Sequence, residues 1–354
     1  MNEKLRLGIV GCGIGFQHAA GYCSLPDWFE VSAVCDLDID RAQHLAEDLS
    51  IPRVTADVED LYRMDELDVI DLCTPSHLHY RQALEVLSAG KHVVCEKPVA
   101  GSLAQADELL RAESASGRRV MPIFQYRFGH GLQKLKHLQA AGLTGRAYLT
   151  TVETAWRRRP AYYAVPWRGR WETEMGGALV TLAIHAHDVV FYVLGPVSSV
   201  SAHTATLVNP INTEDTVTAA LHMADGSLCS LSVTTGSAVE ISRHRFCFQN
   251  LSAESNTRPY NNTSDDWIFT GDTPEVDQAV QTTLEGFVAL PEGMQGQFYR
   301  FYLALQSGTE LPVTLHDARR SLELITAIYA AARNHEEIFL PILPGHPMYA
   351  GWQP

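Results

Sequence analysis

Short apolar runs alternate with segments of helical spacing over the first third of the chain. Residues 5–10, 31–35, 69–73, 92–95 and 120–124 are runs of strand length. Between them, 17–25 is predicted as a first helix. Residues 40–49 place Ala42, Leu45, Ala46 and Leu49 on one helical face. Ser76 is positioned to cap a helix that carries Ala83, Leu84 and Leu87 and stops at Gly90. Ser102-Leu103-Ala104-Gln105 is a capping-box pattern opening a helix that ends at Gly117. Strand–helix units joined by short links predict an α/β domain over residues 1–124, with a parallel, doubly wound sheet.

The pattern changes near residue 125. A helix over 132–141 ends at Gly142, and strands then dominate: 147–155, 197–207, 216–223, 227–235 and 243–249. Ala224-Asp225-Gly226 is a strong hairpin signal. Residues 177–194 are apolar on nearly every side, which predicts one continuous buried helix. Residues 252–277 are polar and turn-rich and are read as a long surface loop. Helices over 295–306 and 316–334 close the chain. Residues 125–354 are therefore assigned to a second, α+β domain with a largely antiparallel sheet.

Composition narrows the function. The chain has 354 residues, 46% hydrophobic and 19% charged, enough for two cored domains. Its net charge of -14, from 41 acids against 27 Lys and Arg, opposes nucleic-acid binding. The one dense basic run, Arg157-Arg158-Arg159, is a solvated loop or an anion contact. Seven scattered cysteines lack any C-x-x-C spacing, and Cys35, Cys73 and Cys95 lie in apolar runs. Reduced, buried thiols and a cytoplasmic location follow. Neither a signal peptide nor a membrane-length span is expected.

The candidate chemistry begins with Gly11-Cys12-Gly13-Ile14-Gly15, where the first strand turns into the first helix. Glycines permit a tight turn and close approach of a pyrophosphate to the helix N-terminus. The usual spacing is G-x-G-x-x-G. Here the third glycine comes one residue early and Phe16 holds its place, so the turn is shortened or remodelled. Asp36 ends the second strand, where a carboxylate accepts adenosine-ribose hydroxyls and repels a 2′-phosphate. Leu37 follows instead of a basic residue, so NAD is expected and NADP disfavoured. Glu96-Lys97-Pro98 ends the strand at 92–95 and puts a lysine at the edge where dinucleotide chemistry occurs. His185 lies in the apolar 177–194 segment, where burial favours a neutral imidazole suited to acid–base work or a satisfied core histidine. His185 and His187 are two residues apart, on different helix faces, which does not suit two ligands on one metal; no metal is expected.

These residues together resemble the Gfo/Idh/MocA oxidoreductases, the glucose–fructose oxidoreductase and inositol dehydrogenase group. The resemblance rests on Gly8-Ile9-Val10-Gly11-Cys12-Gly13, Thr74-Pro75 with His79, Ala89-Gly90-Lys91-His92-Val93-Val94-Cys95-Glu96-Lys97-Pro98, Trp167-Arg168-Gly169, and Gly176-Gly177 followed by Ile184-His185 and Asp188. It covers nearly the whole chain. It implies an N-terminal Rossmann domain and a C-terminal domain whose open sheet forms subunit contacts in a homodimer or homotetramer. It also implies NAD-dependent hydride transfer at a hydroxyl or ketone carbon of a sugar or polyol, including cyclitols. Lys97 and His185 are then the catalytic pair, with Lys97 beside the nicotinamide and the reacting oxygen. Gly11, Gly13, Ile14, Gly15, Asp36, Thr74, Pro75, His79, Glu96, Trp167 and Arg168 would contact cofactor. The bond before Pro98 is expected to be cis.

The sequence departs from that pattern at one point. Many relatives carry Asp four residues before the histidine; here Thr181 stands there, and it adds no negative charge. Glu172 and Glu174 are near in sequence, and Asp188 could orient His185 or anchor the fold. Lys97, Gln125, Arg127, Tyr163, Thr181 and His185 are the substrate candidates, within an aromatic and arginine-rich context at 161–171. Two other readings stand beside the dehydrogenase. One is a non-catalytic cofactor- or sugar-sensing protein; the other is an NAD-dependent glycoside-cleaving enzyme.

Overall fold

A computed structural model describes residues 3–354. They form two compact units: one runs up to Phe124 and takes in Met294–Arg319, and the other joins Gln125–Gly293 to Arg320–Pro354.

The first unit runs β1 (Leu5–Val10), α1 (Gly15–Cys23), β2 (Phe29–Cys35), α2 (Ile39–Leu49), β3 (Val54–Thr55), α3 (Val58–Arg63), β4 (Val69–Leu72), α4 (Ser76–Ser88), β5 (His92–Cys95), α5 (Leu103–Ser116) and β6 (Val120–Pro122). The six strands lie in the order β3-β2-β1-β4-β5-β6, and every pair is parallel. This is the doubly wound order, with its crossover point between β1 and β4. Near-continuous apolar runs suit strands covered on both faces, and Leu7, Ile9, Ile70, Leu72, Val93 and Val94 are fully buried.

Local signals set the helix ends. Asp38 caps α2 through Oδ1 and the Arg41 amide (3.2 Å). Ser102 caps α5 by accepting from the Gln105 amide (3.2 Å), and Gly117 ends it at φ +66°. The box is shifted by one residue, because Gln105 Oε1 accepts from Gly101 rather than from Ser102. Ser76 does not cap α4: Pro75 takes that place and Ser76 is already helical. The short β3 and α3 carry too little periodicity to be read from sequence.

The second unit continues with α6 (His130–Ala140), β7 (Ala147–Arg157), α7 (Trp171–Glu174), α8 (Ala178–Thr181), α9 (Ile184–Leu194), β8 (Val197–Ala205), β9 (Thr216–Met223), β10 (Leu228–Thr234), β11 (Gly236–Phe248), β12 (Leu251–Glu254), β13 (Ile268–Gly271) and α10 (Pro274–Glu285). After α11 (Gly293–Ser307) and α12 (Leu315–Asn334) comes β14 (Ile338–Phe339). The eight-stranded sheet has the order β13-β12-β11-β7-β10-β9-β8-β14; β7 and β10 are its parallel pair. Alternation along β9 and β10 buries Val217, Ala219, Leu221, Leu231 and Val233, and exposes Thr218, Ala220, His222, Leu228, Ser230 and Ser232. The Asp-Gly hairpin forms as expected, with Asp225 Oδ1 accepting from the Ser227 amide (2.9 Å) and Gly226 at φ +88°. The inner face packs Leu132, Leu135 and Leu138 of α6 against Val189, Val193, Phe246 and Trp267.

Three expectations are corrected. First, residues 294–319 pack with the first unit, not the second. Phe298 stacks on Tyr22 at 3.9 Å, and Gln297 bridges the Phe124 amide (3.1 Å) and the Pro122 carbonyl (2.7 Å). Second, residues 177–194 are not one helix. Thr181 Oγ1 bonds back to the Gly177 carbonyl (2.9 Å), and the Ala183 amide reaches the Ala178 carbonyl (2.9 Å), one residue beyond helical spacing. The helical path breaks there, and the segments on either side differ in direction by 51°. Third, residues 252–277 are not simply a loop. They contain β13 and the start of α10, which Thr273 caps by accepting from the Val276 amide (3.4 Å). Among the described residues no single helix is long and apolar enough to cross a membrane.

Candidate active site

The expected cofactor residues of the first unit gather where β1, β2, β4 and β5 end. Gly11 has φ +92°, and a Cβ there would meet the Cys73 carbonyl at 2.6 Å. A Cβ on Gly13 would meet nothing within 4 Å, so its backbone faces open space. Gly15 is buried, with an imagined Cβ 3.0 Å from Ile9 and 3.4 Å from Cys73. It therefore does the close helix–strand packing that the third glycine of the usual spacing does, one residue early. Ile14 is exposed at the N-cap of α1. Asp36 Oδ2 accepts from the Cys12 amide (2.7 Å) and Oδ1 from the Asp38 amide (2.9 Å), so the carboxylate braces the turn. Arg41 Nη1 stands 3.5 Å from Asp36. An open glycine turn, a helix N-terminus and a strand-end carboxylate fit a dinucleotide.

Thr74 and Pro75, both partly exposed, follow β4. Thr74 Oγ1 donates to Gln82 (2.6 Å). His79 was expected at the cofactor, but it is 1% exposed, with Nδ1 2.8 Å from the Pro98 carbonyl oxygen and Nε2 2.7 Å from that of Thr74. Burial lowers its pKa and both carbonyls oppose this, and the ring ties the end of β4 to the turn after β5. Glu96 is likewise buried: Oε1 lies 3.1 Å from His18 Nε2, and Oε2 accepts from the Lys97 amide (3.1 Å). Lys97 itself is partly exposed, and the Lys97–Pro98 bond is cis.

In the second unit His185, on the first turn of α9, is 6% exposed and stacks on Tyr126 at 4.9 Å with planes 24° apart. The neighbouring Gln125 has its Oε1 buried without a hydrogen-bond partner among the described residues. Arg127, a substrate candidate, is buried instead and makes a two-pronged pair with Asp188 at 2.6 and 2.5 Å. Thr181 is partly exposed, and its hydroxyl is bound to Gly177.

Arg168 lies over the rings of Tyr162 (4.0 Å) and Trp167 (4.4 Å), and its Nη1 is 3.3 Å from Glu174. Glu174, 1% exposed, is thus engaged in the 162–174 loop, while Glu172 is exposed. Tyr163 is partly exposed, and burial pushes its phenol pKa up. The sequence reading missed Glu214. Its fully buried carboxylate accepts from the amides of Gly177 and Leu179 and from Tyr329 Oη, each at 2.9 Å. Burial pushes it up to about 7 against those three donors. A Cβ on Gly177 would stand 1.7 Å from the Glu214 carbonyl oxygen, which explains the glycine before α8.

The fold and the glycine turn are those of a dinucleotide-binding Rossmann domain. The chain belongs to the Gfo/Idh/MocA family: residues 5–124 match its "Oxidoreductase family, NAD-binding Rossmann fold" model, and 132–249 match its C-terminal domain. A D-glucoside 3-dehydrogenase of Escherichia coli K12 is 36% identical over 209 residues, 57% of this chain and 58% of that protein. An inositol 2-dehydrogenase of Rhodococcus erythropolis is 33% identical over 147 residues, 41% of this chain and 42% of that protein. The match thus spans less than two thirds of either dehydrogenase. The WlbA dehydrogenase of Bordetella pertussis, solved with NADH and UDP-GlcNAcA, superposes with a TM-score of 0.84 at 31% identity. That superposition covers 96% of this chain and 100% of WlbA.

Proposed function

We propose that this chain is an NAD-dependent dehydrogenase, or in reverse a ketoreductase, acting on a hydroxyl-bearing carbon of a sugar or polyol. The observation that carries the reading is the strand-end set of open Gly13, braced Asp36 and partly exposed Lys97 on one edge of the parallel sheet. The similarity to dehydrogenases of a glucoside, an inositol and a nucleotide sugar supports a carbohydrate substrate.

Bound NAD supplies the hydride acceptor. The α1 N-terminus and the glycine turn hold its pyrophosphate, and Asp36 holds the adenosine ribose. Lys97 donates a charged hydrogen bond to the reacting oxygen and lowers the cost of its deprotonation. His185 accepts the proton. Gln125 and Thr181 orient neighbouring hydroxyls. Seven free cysteines suit a reducing, cytoplasmic setting. The exposed face of β9 and β10 offers a surface for a homodimer or homotetramer.

The test is NADH absorbance across a sugar and polyol panel with both cofactors. Substrate-dependent NAD reduction is expected, and folded Lys97→Met should lose nearly all of it. No reduction with any panel member, or a folded Lys97→Met at near-native rate, overturns the reading.

A further inference from the structure

Beneath Lys97 lies a buried polar chain that the reading above does not use. His18 projects from α1 and is 0% exposed. Its Nδ1 is 2.8 Å from Asp71 Oδ2 on β4, and its Nε2 is 3.1 Å from Glu96 Oε1 after β5. The other oxygen of Glu96 accepts from the main-chain amide of Lys97. A neutral imidazole has one N–H and one lone pair, and a lone pair facing a carboxylate repels it. Two carboxylates on two ring nitrogens therefore require a proton on each nitrogen.

We propose that His18 is a positioning residue for Lys97: an imidazolium clamped between Asp71 and Glu96, which fixes Glu96 and through it the backbone of the lysine. The proposal rests on the dehydrogenase reading for its kinetic consequence only.

The groups facing the ring make the charge tenable. Asp71 lies on β4 and Cys73 just after it, with Sγ 3.4 Å from Nδ1; Glu96 follows β5, and Phe298 of α11 meets the ring edge-on at 5.5 Å. Burial disfavours the imidazolium, but Asp71 and then Cys73 outweigh it and hold the pKa well above the ordinary histidine value. Burial also pushes the Cys73 thiol up, so its share of that attraction falls away where the thiol is neutral and Asp71 carries the rest. Burial, then Asp71, likewise keeps the Tyr22 phenol protonated.

His18, Asp71 and Cys73 bring ligand atoms within 4.8 Å of one another, as a metal site would. Donors on one tetrahedral zinc, at roughly 2.0–2.3 Å from the ion, stand about 3.3 Å or more apart. The 2.8 Å separation of His18 and Asp71 is that of a shared proton.

Two measurements on the full-length protein test the clamp. The first needs no substrate: nitrogen-15 NMR of histidine-labelled protein should show protons on both His18 ring nitrogens from pH 6 to 9. A neutral ring at pH 7 overturns the proposal, whatever the enzyme's activity. The second is a kinetic cycle of His18→Gln, Glu96→Gln and the double variant. Each folded single variant should lower kcat roughly ten- to a hundredfold, with KM for sugar and Kd for NAD within about threefold. The double variant should be no slower than the worse single, because both break one link. Additive losses, or losses confined to KM, overturn the proposal. If His18→Gln does not fold, Glu96→Gln alone decides, and a native kcat in it overturns the clamp.

Discussion

Asp188 gives both carboxylate oxygens to Arg127, at 2.5 and 2.6 Å, in a pair buried beside α9. This aspartate sits one helical turn after His185, where it could have oriented the imidazole. The guanidinium also lies over the Tyr192 ring at 5.1 Å. Arg127 and Asp188 are therefore expected to hold the framework of α9 rather than to contact substrate.

Removing one partner should show this. Arg127→Met leaves a buried carboxylate without its cation and is expected to cost about 3–5 kcal/mol in urea unfolding. Arg127→Met combined with Asp188→Leu should recover much of that loss, since no buried charge remains. A single variant as stable as wild type, with a raised KM instead, would return Arg127 to the substrate site.

Asp36 should decide cofactor preference. NAD is expected to bind more tightly than NADP, because the carboxylate faces a 2′-phosphate. Asp36→Ser should narrow the gap by roughly tenfold or more, as like-charge contacts cost on the order of a few kcal/mol. Arg41, 3.5 Å away, would then turn a cation toward the phosphate. The same change removes the brace on the Cys12 amide, so NAD affinity should also fall. Titration of both cofactors checks it; equal or tighter NADP binding by the unaltered protein would sink the assignment.

Buried neutral histidines should make the protein acid-sensitive. Burial lowers His92 to about 4, His187 to about 3 and His244 to about 4. The unfolded chain binds these protons near pH 6.5, whereas the folded one does not. Stability is thus full above pH 6.5 and is lost as pH falls toward 4, by up to about 1.4 kcal/mol per group and pH unit. Glu214 acts oppositely: its folded pKa is raised to about 7, so its contribution is full below about pH 4.5 and fades as pH rises to 7. Below pH 6.5 His18 is protonated in both states and drops out, so the lowered histidines, His79 among them, outweigh Glu214 and leave a net loss in acid; above pH 6.5 the raised His18 adds a loss as pH rises. Both ring nitrogens of His187 lack partners among the described residues, so His187→Leu should flatten the slope by one proton. Glu214→Gln should steepen it. Denaturant unfolding at pH 5, 6, 7 and 8 measures both.

These outcomes mark what could be read from the chain. The bounds of β5, the Ser102 cap and the Asp225-Gly226 hairpin were legible because neighbouring residues decide them. Gly15 was legible as an anomaly, though only its contacts with Ile9 and Cys73 show that it still does the packing work. The packing of Phe298 against Tyr22 was not legible, since nearly the whole second unit intervenes in sequence. Glu214 and the Arg127–Asp188 pair escaped for the same reason: their partners are distant in the chain. His18 left one faint trace, a polar residue in the buried stripe of α1 between Gly15 and Tyr22.

His185, and not Thr181, is expected to carry the proton. An imidazole titrates near neutral pH, whereas a threonine hydroxyl does not act as a base there. The Thr181 hydroxyl is moreover occupied by the Gly177 carbonyl at the break between α8 and α9. Turnover in the oxidation direction should therefore rise with pH through one deprotonation in the histidine range. His185→Ala should remove that limb and lower turnover by roughly two to four decades. It also leaves Tyr126 without its stacked partner, so its fold must be checked by the same unfolding transition as wild type. His185→Gln keeps the planar polar shape without a titrating nitrogen. If it loses the limb and the rate while unfolding normally, chemistry and not packing is at fault. Thr181→Ala should change KM more than kcat, because it alters a hydrogen bond and no charge. Thr181→Asp would place a carboxylate close before His185, favour the protonated ring and move the limb to higher pH. A pH profile unchanged by His185→Gln would transfer the role to Lys97 or Tyr163.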